Sequence, residues 1–372
     1  MEIRPTHIEF TEEDRRYILE RIGEKLARGY ISQGEAVAEF EAEFARHTGA
    51  RHAVALSSGS AAIEIAMRIR EVAGSTVLVP ANTNFATAVG PLRAGARVAL
   101  VDVDPATFSP GVAELERAWV PGTSGLILVH MGGIVSPEVE RIRDWCAARG
   151  MWLLEDCAHA HGSRLGGVHA GRFGFAGAFS FFATKVITSA EGGMLVTEDD
   201  EVAEEARLHR NLGKPSLWEN YHLRAGTNAR MSELNAVVGV AQLRRLDEFI
   251  AARARIAECY TRLLADGAAT PVLPAGPSSW YKYPVLLPPG VRREEVKEAL
   301  RERGVHPAGE IYERPLHHQP VLAREFAGQR FPNAEEVCAR HLCLPIHPGI
   351  TPADAEYVAE TLTRVLPRRN AA

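Results

Sequence analysis

The sequence predicts an α/β protein with a large, mostly parallel seven-stranded sheet and a smaller C-terminal α+β domain. Between about residues 50 and 200, short apolar runs alternate with helix-like segments, as in parallel strands covered by helices on both faces. Beyond about residue 230, a long helical pattern precedes a smaller mixed unit. The 372 residues, 46% hydrophobic and 24% charged, suffice for such a core and are not typical of disordered chains.

Seven apolar runs predict the strands of the large sheet. They are HAVAL (52–56), STVLV (75–79), RVALVDV (97–103), GLILVH (125–130), MWLLED (151–156), AFSFF (178–182) and GMLVT (193–197). Two helices are predicted between them, from Ser60 to Arg70 and from Pro137 to Arg149. Proline near the start and Gly150 just past the end favour these bounds for the second helix.

The C-terminal part is predicted from a change of periodicity. Apolar residues recur at helical spacing from Met231 to about Leu264, which predicts one long helix between domains. A Gly/Pro-rich stretch at 266–279 then precedes a strand at 280–287 and helices at 292–303 and near 352–366. We therefore expect a large domain with an N-terminal arm over residues 1–250 and a small domain over residues 251–372.

Composition restricts the possible partners and the compartment. A net charge of −5 provides no broad basic surface for nucleic acid or an anionic membrane, so an anionic ligand would need a local site. Five cysteines without CxxC spacing are expected to be free thiols in a reducing cytoplasm. Without an apolar leader or an eighteen-residue apolar run, we expect a cytoplasmic protein that does not enter membranes.

An acidic residue and a lysine lie about thirty residues apart in the most informative part of the chain. Asp156 ends an apolar strand, which places it at the carboxyl edge of the sheet, where open α/β sheets bind ligands. Lys185 follows another apolar strand, where partial desolvation would make its amine a nucleophile or base. Either residue alone would be unremarkable.

A third segment supplies what one cofactor needs besides these two residues. Pyridoxal phosphate requires a lysine for its Schiff base, a carboxylate at its pyridine nitrogen and a cradle for its phosphate. The turn Ser57–Ala61 lies between a predicted strand and a predicted helix, so its free amides are suited to phosphate. The three segments together predict a pyridoxal phosphate enzyme.

Motifs along nearly the whole chain resemble the sugar aminotransferases of the DegT/DnrJ/EryC1/StrS group, which are fold-type I pyridoxal phosphate enzymes. The matching segments are GYISQGEAVAEFEAEFA (29–45), SSGSAAIEIAM (57–67), VPANTNFATAV (79–89), VDVDPATFSP (101–110), EDCAHAHG (155–162), FSFFATK (179–185), EGGMLVTED (191–199), RNLG (210–213), GTNARMSELNA (226–236), IYERPLHHQPV (311–321) and LCLPIHPGIT (342–351). So many ordered segments are not expected by chance.

The resemblance assigns roles to residues by motif position. Lys185 corresponds to the Schiff-base lysine and Asp156 to the partner of the pyridine nitrogen, and His159 stands where many members have Gln, near the ring. The phosphate would be bound by Gly59, Ser60, the Ala61 amide, Ser180 and, from a neighbouring subunit, Asn228. A homodimer with shared active sites is thus implied.

Other positions depart from the family pattern or face the substrate. The slot of the usual ring-stacking aromatic holds Asn84, and we expect Phe85, one place later, to stack on the cofactor. Tyr312, His317 and Arg230 are the expected substrate contacts. Relatives with His at the lysine position perform a dehydration, so Lys185 favours amino transfer.

The implied reaction moves an amino group from glutamate to a keto-sugar nucleotide, with pyridoxamine phosphate as the intermediate. The motifs look closest to members that aminate C4 of a dTDP-4-keto-6-deoxyhexose in deoxyamino-sugar biosynthesis. Amination of C3 in a 3-keto sugar nucleotide is the alternative, followed by cyclitol or aminobenzoate-type relatives.

Two alternatives from other classes remain. Cys157, His159 and His161 alternate, and a strand continuing through them would present three zinc ligands on one face. No fourth ligand cluster is apparent, so we expect no metal. Some chains of this fold act as regulators, but the retention of Lys185, Asp156 and the phosphate residues favours an enzyme.

Overall fold

The computed structural model describes residues 2–367 of the chain. Its helices are α1 (Glu12–Arg28), α2 (Glu35–Thr48), α3 (Gly59–Ile69), α4 (Phe85–Arg93), α5 (Val112–Ala118), α6 (Val139–Ala147), α7 (Asp200–Arg210), α8 (Glu233–Arg244), α9 (Leu246–Leu263), α10 (Arg293–Arg301), α11 (Pro332–Arg340) and α12 (Pro352–Val365). Its strands are β1 (His52–Leu56), β2 (Thr76–Pro80), β3 (Arg97–Val101), β4 (Thr123–Val129), β5 (Trp152–Asp156), β6 (Arg164–Leu165), β7 (Val168–His169), β8 (Ala176–Ser180), β9 (Gly193–Thr197), β10 (Thr270–Pro271), β11 (Tyr283–Leu286) and β12 (His341–Leu344).

The large sheet confirms the predicted fold class. Seven strands lie in the order β1-β9-β8-β5-β4-β2-β3, and β9 alone runs opposite to its neighbours. All seven predicted strands are present, with bounds shifted by a few residues. Strands β2, β4, β5 and β8 are parallel to one another, so their carboxyl ends lie together at one edge of the sheet.

Two hydrophobic layers cover the sheet because consecutive strand residues point to opposite faces. In β4, Leu126 and Leu128 pack into one layer, and Ile127 and Val129 pack into the other. All four side chains are buried, which explains why the parallel strands are continuously apolar instead of alternating with polar residues.

The C-terminal part forms its own three-stranded antiparallel sheet, β10-β11-β12, with α10 and α12 against it. The expected division at residues 250/251 falls inside α9. Leu246 and Phe249 of that helix pack into a core layer of the large sheet, whereas Ile256 and Tyr260 pack into the core of the small sheet. The domain boundary stays a prediction, supported by this change of core along one helix.

The prediction of one long helix from residue 231 to 264 is wrong. The chain leaves helical geometry at Arg245, with φ −102° and ψ 3°, and α8 and α9 lie on either side of it. The apolar pattern hides the break because Leu243 and Leu246 are both buried. Within residues 2–367, no helix combines the length and apolarity needed to cross a membrane.

A buried carboxylate joins α8 to the start of α2. Glu233 is fully buried, and its Oε1 accepts hydrogen bonds from the amides of Gly34 (2.8 Å) and Val37 (3.0 Å). Its Oε2 accepts from the amide of Ala36 (3.0 Å) and lies 3.3 Å from Lys25 Nζ. The carboxylate therefore satisfies amides that a helix start leaves without partners.

Replacing Glu233 by Gln should lower the free energy of unfolding by about 2–4 kcal/mol, because a side-chain NH2 group would face backbone donors and Lys25 would lose a charge partner. Glu35→Gln is the matched control. Glu35 also binds Lys25 (2.9 Å), but its side chain is 71% exposed and the pair is screened by water, so the loss should be much smaller. Urea unfolding measures both changes, and equal losses would contradict the assignment.

Candidate active site

A cavity of about 230 Å³ opens at the carboxyl edge of the large sheet. It is lined by Ser58, Gly59, Ser60, Ile63, Asn84, Ala86, Asp156, Ala158, Ser180, Phe182, Lys185, Glu191 and Tyr312. Asp156 and Ser180 are the last residues of the neighbouring parallel strands β5 and β8. The topology thus brings the predicted lysine, acid and phosphate-binding turn into one cavity.

The Asp156 carboxylate is held in a fixed orientation. It is 6% exposed, its Oδ2 accepts a hydrogen bond from Thr87 Oγ1 (2.8 Å), and its Oδ1 accepts from the amide of Ala158 (3.1 Å). Burial raises the pKa of Asp156, while the two hydrogen bonds and the nearby charges of Lys185 and His130 oppose that rise. A cationic N–H donor in the cavity would relieve this desolvation.

The neighbouring acid of the Glu155-Asp156 pair has a different task. Glu155 is fully buried and accepts hydrogen bonds from the amides of Gly171 (2.7 Å), Phe173 (2.6 Å) and Gly174 (2.8 Å). It also bonds His130 Nε2 (2.8 Å). Strand alternation sends the two carboxylates to opposite faces. Glu155 therefore orders a loop, and Asp156 faces the cavity.

Lys185 lies in the turn after β8 and is half-buried. Its ammonium lies 5.0 Å from the ring centroid of Tyr281. Burial lowers the pKa of Lys185 and the charge of Lys282 adds to this effect, against attraction by Tyr281 and Asp156. A lowered pKa makes the neutral amine more accessible near pH 7, as a nucleophile or a proton carrier requires.

The start of α3 forms an anion cradle. Ser58 caps the helix by accepting a hydrogen bond from the amide of Ala61 (3.1 Å), whereas the Gly59 and Ser60 amides have no partner within the described chain. A Cβ on Gly59 would lie 2.9 Å from Ser180 Cβ, so glycine keeps this space open. The Ala61 amide, which we expected to bind phosphate, is instead engaged by the cap.

A stack of rings stands beside the cavity. His159 packs against Tyr281 (centroids 4.4 Å apart, planes at 23°) and more loosely against Tyr312 (6.0 Å, 26°). Its Nδ1 accepts from the Gly132 amide (3.3 Å), its Nε2 lies 3.4 Å from the Tyr312 hydroxyl, and burial holds its pKa well below the ordinary value. The imidazole is therefore neutral. His159 does not line the cavity itself, but it contacts Tyr312, which does.

Phe85 does not occupy the position that we expected for a stacking residue. It is the first residue of α4, after the N-cap Asn84, and it lines a separate neighbouring cavity of about 650 Å³. Asn84 and Tyr312 line both cavities. The register of the α4 cap therefore places Asn84 and Ala86, but not Phe85, in the smaller cavity.

The remaining expected contacts lie elsewhere in this chain. His317 is 4% exposed, bonds Glu335 (3.2 Å) and lines neither cavity. Arg230 donates to the side chain of Asn211 (3.0 Å), and Asn228, which is exposed, forms an antiparallel bridge with the same residue. Asn228 does not line this chain's own cavity, and its role toward a neighbouring subunit stays a prediction.

The zinc alternative is not supported. Strand β5 ends at Asp156, so Cys157, His159 and His161 do not alternate along a strand. His159 lies in the ring stack, whereas His161 packs against Phe179 and Phe181 (centroids 5.5 and 5.4 Å). Within residues 2–367, convergent groups of possible metal ligands include neither of these histidines.

Sequence reasoning missed Thr87 and Tyr281. Thr87 lies inside the quoted segment FATAV, four residues after Thr83, and their hydroxyls are 3.0 Å apart. Thr83 precedes the N-cap Asn84, so the two residues do not share a helix face, and the usable signal is a threonine in the first turn of a helix that follows strand β2. Tyr281 carries no such signal, because its approach to Lys185 depends on the packing of the C-terminal part.

The arrangement fits pyridoxal phosphate. The unpartnered Gly59 and Ser60 amides suit its phosphate, the desolvated Asp156 carboxylate suits a protonated ring nitrogen, and Lys185 lines the same cavity. This fit rests on unsatisfied groups of the chain itself.

Comparisons with known proteins agree with this fit. The profile of the DegT/DnrJ/EryC1/StrS aminotransferase family matches residues 12–363. The dTDP-4-dehydro-2,3,6-trideoxy-D-glucose 4-aminotransferase of Saccharopolyspora spinosa is 35% identical over 94% of each chain. The structure of DesV from S. venezuelae is 30% identical with a TM-score of 0.90 over 96% of each chain. The pyridoxal phosphate form of Spr1654 from Streptococcus pneumoniae is 26% identical with a TM-score of 0.87 over 98% of each chain.

The match spans both sheets and includes every segment that lines the cavity. The chain belongs to the DegT/DnrJ/EryC1/StrS aminotransferase family and is a pyridoxal phosphate-dependent aminotransferase.

Proposed function

We propose that this enzyme moves the amino group of glutamate to C4 of a dTDP-4-keto-6-deoxyhexose. The observation that carries the proposal is the convergence of Lys185, Asp156 and the free Gly59 and Ser60 amides in one cavity. The choice of C4 is supported by 35% identity over 94% of both chains to a relative named as a 4-aminotransferase of a dTDP sugar. Amination of C3 is the alternative that the assay below decides.

When bound, pyridoxal phosphate supplies a ring that withdraws electrons from the α-carbon of the amino donor. The Asp156 carboxylate holds a proton at the pyridine nitrogen, which sustains that withdrawal. The Lys185 amine takes the proton from the donor α-carbon, and its lowered pKa keeps the amine available for this transfer. The Gly59 and Ser60 amides and the Ser180 hydroxyl bind the phosphate and fix the ring in place.

The acceptor is proposed to enter through the larger neighbouring cavity. That cavity of about 650 Å³ is large enough for a sugar nucleotide and meets the smaller one at Asn84 and Tyr312. Tyr312 is therefore the residue of this chain that we expect beside the keto carbon. Burial raises the pKa of Tyr312 well above its ordinary value, so its hydroxyl keeps its proton and can donate it to a carbonyl oxygen in a hydrogen bond.

We also propose a cytoplasmic homodimer with shared active sites. Trp218, Tyr221 and Leu223 are 81%, 55% and 49% exposed, and such a cluster of apolar side chains is typical of a surface that a partner covers. Asn228, which we expect to bind the cofactor phosphate of the neighbouring subunit, is exposed and follows in the same segment. A partner that covers this surface would therefore also lie next to Asn228. The cytoplasm is supported by five cysteines that are all free thiols.

Mixed dimers test Lys185 and Asn228 together. Lys185→Ala alone should lose at least about a thousandfold in turnover because the proton carrier is gone, and Asn228→Asp alone should weaken cofactor binding because a carboxylate would face the phosphate. A dimer of one subunit of each variant has one site with both residues intact, so mixing should restore up to half of the wild-type activity per dimer. A monomeric mass in solution, or no restoration after subunit exchange is verified, would contradict the shared site.

Thr87→Val should impair the enzyme by changing the acidity of Asp156. Loss of the donated hydrogen bond removes a stabiliser of the carboxylate, so the pKa of Asp156 should rise further. Carboxyl NMR of cofactor-free protein measures this pKa, and turnover should fall about tenfold. Thr87→Ser keeps the hydroxyl and is the control. An unchanged titration of Asp156 in Thr87→Val would contradict the role.

An assay of matched acceptors tests the proposed function itself. With glutamate as donor, the enzyme should convert a dTDP-4-keto-6-deoxyhexose at least about a hundredfold more efficiently than a dTDP-3-keto-6-deoxyhexose. Mass spectrometry and NMR of the product identify the carbon that carries nitrogen. Lys185→Ala is the negative control. Amination of the 3-keto sugar alone would establish C3 amination. The absence of a reaction with either acceptor would contradict the proposed function.

A further inference from the structure

A third, small cavity also borders Lys185. Its volume is about 40 Å³, several times the roughly 10–15 Å³ that one water molecule needs. It is lined by Pro5, Thr6, His7, Ile8, Thr184, Lys185, Arg253, Tyr281, Lys282, Ala308, Ile346 and His347. Lys185 lines both this cavity and the cofactor cavity, so the two cavities adjoin at its side chain.

The lining is cationic. Lys282 and Arg253 contribute positive charges, and no aspartate or glutamate lines the cavity. His347 bonds the Arg4 carbonyl (3.1 Å), and burial lowers its pKa to about 4, so its ring is neutral near pH 7. An excess of positive charge in a small enclosed space favours an anion.

Arg253 of α9 is the group that the fold leaves incompletely satisfied. Arg253 is 6% exposed, and its Nη1 donates hydrogen bonds to the carbonyls of Ile346 (2.7 Å) and Trp280 (3.2 Å). Its Nε is buried without a partner, and within residues 2–367 the guanidinium has no carboxylate partner. Burial lowers the pKa of Arg253 to about 10, which reflects the cost of an uncompensated cation.

We propose that this cavity is the subsite for the α-carboxylate of the amino donor, with Arg253 as its principal cation. The proposal rests on the proposed function, in which glutamate is the donor. Lys185 must reach the donor α-carbon, and the α-carboxylate is one bond from that carbon, whereas the side-chain carboxylate is three bonds away. The phosphates of a sugar nucleotide are separated from the keto carbon by the sugar ring, so they do not reach a cavity that borders Lys185.

The subsite would also distinguish the two substrates that share the cofactor. The donor brings a carboxylate that pairs with the buried guanidinium, whereas the keto sugar brings none. Arg253 should therefore matter for the first half of the reaction and not for the second. A purely structural arginine, acting through the Ile346 and Trp280 carbonyls, would affect both halves alike.

The test compares Arg253→Met with Arg255→Met in the cofactor-loaded enzyme. Arg255 is two residues away on the same helix, but it is exposed and lines neither cavity. The first probe is 2-methyl-L-glutamate, which has no α-hydrogen, so its bound complex stops before proton abstraction and amino transfer. Arg253→Met should weaken its binding about 10- to 100-fold, the effect of losing a charge-assisted hydrogen bond, and Arg255→Met should leave it unchanged.

Two further measurements separate the proposal from a structural role. The reaction of 4-aminobutyrate, which is glutamate without its α-carboxylate, should change less than about threefold in Arg253→Met, as should the reaction of the pyridoxamine phosphate form with the keto sugar. Unchanged binding of 2-methyl-L-glutamate, or equal losses for all three ligands, would overturn the subsite. If Arg253→Met does not fold, Arg253→Lys keeps the charge without the fork and should show a smaller loss confined to 2-methyl-L-glutamate.

The wild-type reaction with the keto sugar separates this inference from the function on which it rests. If that reaction fails while 2-methyl-L-glutamate still depends on Arg253, the donor subsite stands and the proposed acceptor is wrong. If the sugar reacts and Arg253 is neutral toward the donor, the function stands and the subsite is wrong.

Discussion

The desolvated carboxylate of Asp156 is the constraint on which the site depends. The fold places this acid at the end of a central parallel strand, raises its pKa by burial and then opposes that rise with the Thr87 hydroxyl and the Ala158 amide. Such a group is stable as an anion only beside a positive partner. In the proposed function the protonated ring nitrogen of the cofactor is that partner, so strand β5, helix α4 with Thr87, and the cofactor depend on one another.

A net charge of −5 leaves anion binding to local sites, and we propose two of different kinds. The start of α3 presents backbone amides and carries no formal charge, which suits a phosphate that stays through the reaction. The small cavity presents the buried Arg253 guanidinium instead. A charge of that kind suits a carboxylate that must bind and leave in each turnover. Hydrogen bonds to two backbone carbonyls keep the guanidinium in position when the carboxylate is absent.

The sheet and half of the site could be predicted from the sequence because both depend on local patterns. Continuous apolar runs mark parallel strands, and strand ends mark the ligand edge, so β5, β8, Asp156 and Lys185 could be placed. The break at Arg245 could not, because apolar periodicity continues through it. The position of Phe85 depends on where the N-cap of α4 falls, and the position of His159 depends on its stacking against Tyr281. The unpaired Nε of Arg253 can be recognised only in the folded structure. These are tertiary facts with no local signature.

The central claim is that Lys185 binds the cofactor covalently in the cavity that Asp156 and the start of α3 enclose. Borohydride reduction of the purified enzyme, followed by proteolysis and peptide mass spectrometry, tests it most directly. The account predicts a reduced pyridoxyl phosphate group on the peptide that contains Lys185. The corresponding peptide of the Lys185→Ala variant should not carry this group. A pyridoxyl group on a different lysine, or an unmodified Lys185 in enzyme that turns over, would contradict it.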